Sequence, residues 1–195
     1  MRRVGRKLLA LLICLAAPAP VPALQGGPSS QAPQGGARDF DFNLGTWHTE
    51  ITRYPDPFAS RPASVHLAGT VTVRPVWDGR ALLEEIEAEG PNGRWEALTL
   101  FLYNPAARQW SQYFANAKEG RFTSAPLIGA FKDGVGELYA QDVFEGRTIL
   151  VRGVWSDIRP DSHTYRESYS SDGGRSWKLA FEGHLTRVRP PQPVR

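Results

Sequence analysis

The 195-residue chain has one cysteine and one methionine. The cysteine, Cys14, lies in an N-terminal apolar run. A disulfide framework is therefore excluded, and so is a Cys-based metal site. No P-loop, Gly-x-Ser-x-Gly, His-Glu-x-x-His or cysteine-pair motif occurs. His48, His66, His163 and His184 are scattered, with no local metal-ligand spacing, so no metal site is expected. No apolar run is long enough to span a bilayer comfortably. A clear long helix is also missing. An excess of one charge is only apparent. Four of the 23 Lys and Arg residues, and none of the 20 Asp and Glu residues, precede Leu24, leaving 19 against 20 beyond it. That balance gives no electrostatic footprint for nucleic acid.

What is present begins with a targeting pattern. Arg2, Arg3, Arg6 and Lys7 precede the apolar stretch Leu8 to Ala17, and Val21-Pro22-Ala23 offers a small-residue cleavage site. Residues 1–23 therefore read as a signal peptide, and the protein as exported to a bacterial periplasm or beyond. Residues before Cys14 do not suit lipid attachment, which favours a small residue there. Residues 24–38 are rich in Gly, Pro, Ser and Gln and read as a flexible linker. Residues 190–195 read as a disordered tail, which leaves 39–189 as one domain.

Within that domain, short apolar or alternating runs are separated by turn signals such as Asp78-Gly79, Asn92-Gly93, Asp133-Gly134 and Glu145-Gly146. Ten strands are expected, near 45–54, 64–77, 81–89, 95–104, 109–117, 121–130, 135–144, 147–156, 163–170 and 176–188. Ala81 to Glu89 is rich in helix formers but is read as a strand because its neighbours are strands. On that strand Glu85, Glu87 and Glu89 share a solvated face, and Glu84 points the other way with Ile86. Tight turns between successive strands predict an all-β, antiparallel, up-and-down meander that closes into a single lipocalin-like barrel.

Two motifs carry structural expectations. Gly45-Thr46-Trp47 opens the first strand, where a large aromatic plugs the barrel base. The last strand lies beside the first, so Arg187 can stack on Trp47. Ser170-Ser171-Asp172-Gly173-Gly174-Arg175-Ser176-Trp177 matches the Asp-box turn, in which Asp172 accepts backbone N–H bonds, Gly174 takes a positive φ and Trp177 packs under the hairpin. One copy cannot make a propeller, so it reads as a folding device.

Phe40 to Trp47, the aromatic pair Leu100–Tyr103 and Trp110–Tyr113, and the Ser170–Trp177 hairpin followed by Arg187 together resemble an uncharacterised family of bacterial secreted lipocalin-like domains. The resemblance covers roughly Asp39 to Val188. It implies a calycin-type barrel and no settled reaction. Leu44 to Trp47 also looks like the opening of nitrobindin-like haem barrels. That likeness implies haem as an alternative cofactor, with His184 as its ligand and His163 as a weaker one.

The expected function is binding of a small, partly apolar ligand inside the barrel, without nucleic acid and without a membrane span after signal removal. Tyr103, Tyr113, Trp155 and Tyr165 are candidate walls. Arg152 and Arg166, set among apolar neighbours, are candidates to hold a carboxylate or phosphate. The sequence does not establish an enzyme. An acid–base site built from interior Tyr, Arg and Glu, with Glu167 first to be tested, is one alternative. A non-catalytic envelope domain is another.

Overall fold

The computed structural model describes residues 36–123 and 125–188. The proposed signal peptide, most of the linker, and the tail lie outside the described residues. The described chain is almost entirely antiparallel sheet. Its strands are β1 (Gly45–Arg53), β2 (Val65–Val76), β3 (Ala81–Gly90), β4 (Gly93–Asn104), β5 (Gln109–Asn116), the two-residue β6 (Arg121–Phe122), β7 (Leu127–Lys132), β8 (Val135–Phe144), β9 (Arg147–Arg159), β10 (Ser162–Ser170) and β11 (Lys178–Arg187). Neighbours in sequence are neighbours in the sheet, apart from β6, which pairs only with β5 and is passed over where β5 meets β7.

The ring closes because β1 pairs with β11, Trp47 opposite Arg187. The fold class is therefore the one expected, an all-β, up-and-down antiparallel barrel of ten long strands. The single strand expected over 121–130 is divided into β6 and β7. Ala81–Gly90 is a strand despite its helix formers, because it is hydrogen-bonded along its length to β2 and β4. Tertiary pairing overrides propensity here.

Period-two alternation assigns the faces. On β1, Trp47, Thr49 and Ile51 are buried between exposed His48 and Glu50. On β3, Glu84, Ile86 and Ala88 are buried, and Glu85, Glu87 and Glu89 are exposed.

One end of the barrel is plugged. A 3-10 turn at Asp41–Asn43 carries Phe40 and Asn43 into the interior, both fully buried. The Phe40 ring lies 4.5 Å from Phe101, 4.9 Å from Phe131, 5.1 Å from Trp110 and 5.5 Å from Trp155, centroid to centroid. Trp110 Nε1 donates to the Gly36 carbonyl at 3.0 Å. Gly36, three residues before the boundary expected at Asp39, is thus in contact with the barrel. The opposite end bears the 54–64 connection and the 170–178 hairpin.

Trp47 belongs to the plug. Its Nε1 donates to Asn43 O at 2.8 Å. Arg187 lies over its ring and donates from Nη1 to Leu44 O, from Nη2 to Phe42 O and from Nε to Pro160 O, at 2.8, 3.0 and 2.8 Å. Gly45 has φ +111°, and a Cβ there would come within 2.8 Å of Arg187 Nη1. A glycine is needed both for the backbone angle and for the passage of the arginine.

Candidate functional site

Above the plug, the open half of the barrel holds a cavity of about 310 Å³. Its apolar lining includes Ile51, Val71, Ile86, Trp95, Phe114, Leu127, Phe144, Val151, Trp155 and Phe181. Set into that wall are Thr49, Glu84, Thr99, Gln112, Tyr165, Glu167 and Tyr169, with Arg53, Arg121, Glu119 and Asp142 also lining it.

The polar residues of the floor form a connected chain. Trp155 Nε1 donates to Gln112 Oε1 at 3.1 Å, and Gln112 Nε2 donates to Tyr165 Oη at 3.2 Å. Tyr165 Oη donates to Glu167 Oε2 at 3.1 Å, and Tyr169 Oη donates to Glu167 Oε1 at 3.0 Å. Burial raises the Glu167 carboxyl above its ordinary range, opposed by the two tyrosine bonds and by the Arg53 charge. Burial and the neighbouring Glu167 also push both tyrosine hydroxyls up, so they stay protonated donors. Gly153, on β9 opposite Glu167, leaves room for this arrangement, because a Cβ there would come within 2.8 Å of Tyr165 Oη.

A second carboxyl, Glu84, is 4 % exposed. Asn43 Nδ2 donates to its Oε2 at 2.9 Å, and Thr99, opposite it on β4, also bonds it. Burial outweighs both bonds, and the Glu84 acid is raised. Glu84 thus connects the plug residue Asn43 to the cavity wall.

The sequence candidates divide by strand parity. Trp155 and Tyr165 line the cavity. Tyr103 packs at the plugged end, its ring 5.3 Å from Trp110 and away from the cavity. Tyr113 is on the other face of β5 from Gln112 and meets Phe122 outside. The interior reading of Arg152 and Arg166 is corrected. Arg152 lies on the outer face with its guanidinium 4.6 Å over the Trp177 ring. Arg166 pairs with Glu182 and Asp157 and donates to Ser156 Oγ. Both are one residue out of step with the inward set, and a one-residue offset reverses the face.

His184 is corrected as well. It is exposed on the outer face of β11, where its Nδ1 is 3.2 Å from Thr164 Oγ1 and its Nε2 is 3.2 Å from Glu182 Oε2. It cannot ligate a group inside the barrel. His163 does point inward, but Trp47, Phe42 and Trp155 pack around it at 4.4, 5.0 and 5.7 Å. Neither histidine fits a haem site. Among the described residues, no group of three His, Cys, Asp or Glu side chains could hold a metal ion.

The Asp-box hairpin is a surface device at the open end. Asp172 accepts from Ser176 N at 2.9 Å, Ser176 Oγ at 2.6 Å and Ser170 Oγ at 2.8 Å. These bonds hold its carboxyl well below the usual range, the Ser176 hydroxyl first among them. Gly174, at φ +88°, donates its N–H to Ser170 Oγ at 2.8 Å, and Trp177 turns outward onto Arg152.

The site residues that sequence reasoning missed are Glu84, Thr99, Gln112 and Tyr169 as cavity lining, and Glu167 as a partner of the tyrosines rather than of Arg166. The available signal was parity. From inward Tyr165, residues 167 and 169 follow on the same face.

Fold and site together define a closed antiparallel β-barrel, plugged at one end and hollow at the other. No protein-family model matches the chain, and no curated protein matches it. Solved structures do. It is similar to the S-type phycobiliprotein lyase CPES from Guillardia theta, at 10% identity and a TM-score of 0.54, over 81% of this chain and 95% of that one. It is also similar to mFAP0, a redesigned β-barrel bound to DFHBI, at 12% identity and a TM-score of 0.43, over 75% and 99% of the two chains. A de novo designed fluorescence-activating β-barrel matches at 14% identity and a TM-score of 0.41, over 76% and 95%. At these identities the likeness concerns the fold alone. No helix among the described residues is long and apolar enough to cross a membrane.

Proposed function

We propose that this protein is an exported β-barrel that binds a small, partly apolar molecule in the open half of its interior. The observation that carries this reading is the cavity of about 310 Å³, whose wall is shared about equally between apolar and polar surface, with Gln112, Tyr165, Glu167 and Tyr169 converging on its floor. A barrel serving only as a structural domain has no need to keep Glu84 and Glu167 inside at the cost of desolvation. Export is supported by the basic, apolar and small-residue succession of residues 1–23. The resemblance to secreted lipocalin-like domains agrees with both parts of the reading.

The test is titration with the neutral fluorophore N-phenyl-1-naphthylamine. Saturable binding is expected, and Ala140→Phe, which places a ring in the cavity wall, weakens it. Binding that ignores Ala140→Phe contradicts the assignment of the site. For export, the intact mass of protein recovered from a bacterial envelope is expected to lack residues 1–23.

A second reading, acid–base catalysis, is favoured by one specific observation. Glu167 has a raised carboxyl and two protonated tyrosines in contact with it inside a cavity. Unchanged turnover of a discovered substrate by Glu167→Gln rejects that reading.

A further inference from the structure

The floor of the cavity has an unequal supply of donors and acceptors. Most of the strong donors there are already committed within the protein. The Trp155 N–H goes to Gln112, one Gln112 amide N–H goes to Tyr165, and both tyrosine O–H groups go to Glu167. The chain of bonds runs in one direction and ends on the Glu167 carboxylate. A carboxylate offers about four lone-pair sites, so two tyrosine donors leave acceptor capacity on Glu167. Glu84 repeats the pattern, taking donors from Asn43 and Thr99.

Charge follows the same sign. Leaving aside Glu84, whose buried acid the fold prefers protonated, the lining contains three carboxyl groups, Glu119, Asp142 and Glu167, against two guanidinium groups, Arg53 and Arg121. Arg121 is paired with Glu119 at 3.7 Å. Arg53 is exposed, with its guanidinium 5.3 Å over the Trp95 ring. The Arg53–Trp95 contact is already a cation resting on an aromatic face of this wall. Trp95, Phe114, Phe181 and Tyr165 form a connected aromatic lining, with Trp95 6.2 Å from Phe114 and 6.4 Å from Phe181, and Phe181 6.0 Å from Tyr165. Aromatic faces with a carboxylate behind them suit a cationic head on an apolar body.

We propose that the ligand is an organic amine, its ammonium group donating to Glu167 and its apolar part lying against Trp95, Phe114 and Phe181. This rests on the reading of the cavity as a ligand site. The ammonium supplies the donors that the floor lacks, and Tyr165 and Tyr169 fix the carboxylate that receives them. Arg53 opposes a second cation, and Asp142 favours one. An anionic ligand would need donors from the floor, where the Trp155 N–H and both tyrosine O–H groups are spent.

The experiment compares three probes of similar shape by calorimetric titration at pH 7. These are tryptamine (cationic), 3-propylindole (neutral) and indole-3-propionate (anionic). Tryptamine is expected to bind about tenfold tighter than either of the others, as a charge-assisted bond requires. Glu167→Gln is expected to remove that advantage while 3-propylindole binding stays within about twofold, which also shows the variant's cavity to be intact. Arg53→Met is expected to strengthen tryptamine binding. Equal binding of all three probes, or preference for indole-3-propionate with its loss in Arg53→Met, overturns the amine assignment and leaves the cavity reading standing. No binding of any probe, nor of N-phenyl-1-naphthylamine, overturns both.

Discussion

The guanidinium of Arg187 lies 3.9 Å from the centre of the Trp47 ring and hydrogen-bonds to Leu44 O, Phe42 O and Pro160 O. One side chain therefore ties the last strand to the first, to the N-terminal plug and to the β9–β10 turn. Arg187→Ala removes the ring contact, worth about 0.5–2 kcal/mol, and leaves three carbonyls without their donor. A stability loss of about 2–4 kcal/mol in urea unfolding is expected. Arg187→Lys keeps the charge without the fork and is expected to recover less than half of it.

His163 makes the fold sensitive to acid. It is 2 % exposed, and neither ring nitrogen has a hydrogen-bond partner among the described residues. Burial, with the Arg187 charge behind it, lowers its pKa from 6.5 to about 4. The folded state keeps the ring neutral while the unfolded state takes a proton below pH 6.5. Stability is therefore full above that pH and falls as pH drops towards 4. The loss between pH 7 and pH 5 is expected to be about 2 kcal/mol. His163→Leu is expected to flatten this part of the urea-stability profile, and an unchanged slope contradicts the assignment.

Glu84 acts in the opposite direction. Its carboxyl is raised chiefly by burial, so its protonated form is the one the fold prefers. Its contribution is complete below the unfolded value of 4.5 and is lost as pH rises through the folded value. Glu84→Gln keeps an acceptor and donor at Asn43 and Thr99 without the charge. The variant is expected to gain stability relative to the wild type on going from pH 5 to pH 8. A difference that is constant with pH places no titrating group there.

Gly153 is the position where one methyl group reaches the floor. Its Cβ would lie 2.8 Å from Tyr165 Oη and 3.1 Å from Leu127 Cδ2. Gly153→Ala is expected to cost about 1–3 kcal/mol through overpacking. It is also expected to weaken fluorophore binding, by displacing the tyrosine that bonds Gln112 and Glu167. Gly134, in an open turn at φ +80° where an added methyl would meet nothing within 4 Å, serves as a surface control for binding.

The barrel was legible in the sequence because turn pairs such as Asp133-Gly134 and Glu145-Gly146 mark hairpins, and because Trp47 and Arg187 fall on the terminal strands, which must meet. The strand over Ala81–Glu89 was legible only from its neighbours. The interior was half legible. Trp155 and Tyr165 are large aromatics that fall on the inward parity of β9 and β10, whereas Tyr113, of the same kind, falls on the outer face of β5. Glu84 and Glu167 are not aromatic. Their placement follows from strand parity and is stabilised by partners on other strands, Asn43, Thr99, Tyr165 and Tyr169, which no local pattern brings together. Arg166 and Glu167 show the difficulty plainly, since adjacent residues of one strand share a neighbourhood in sequence and opposite sides of a sheet. His184 failed for the same reason, one position from buried Leu185.

The most direct measurement is native mass spectrometry of the protein purified from a bacterial envelope, beside its Ala140→Phe variant. The account predicts a reproducible added mass on the wild-type chain, released on denaturation, and a reduced occupancy on the variant. A bare polypeptide mass for both, together with no uptake of N-phenyl-1-naphthylamine by the wild type, contradicts a ligand-binding barrel.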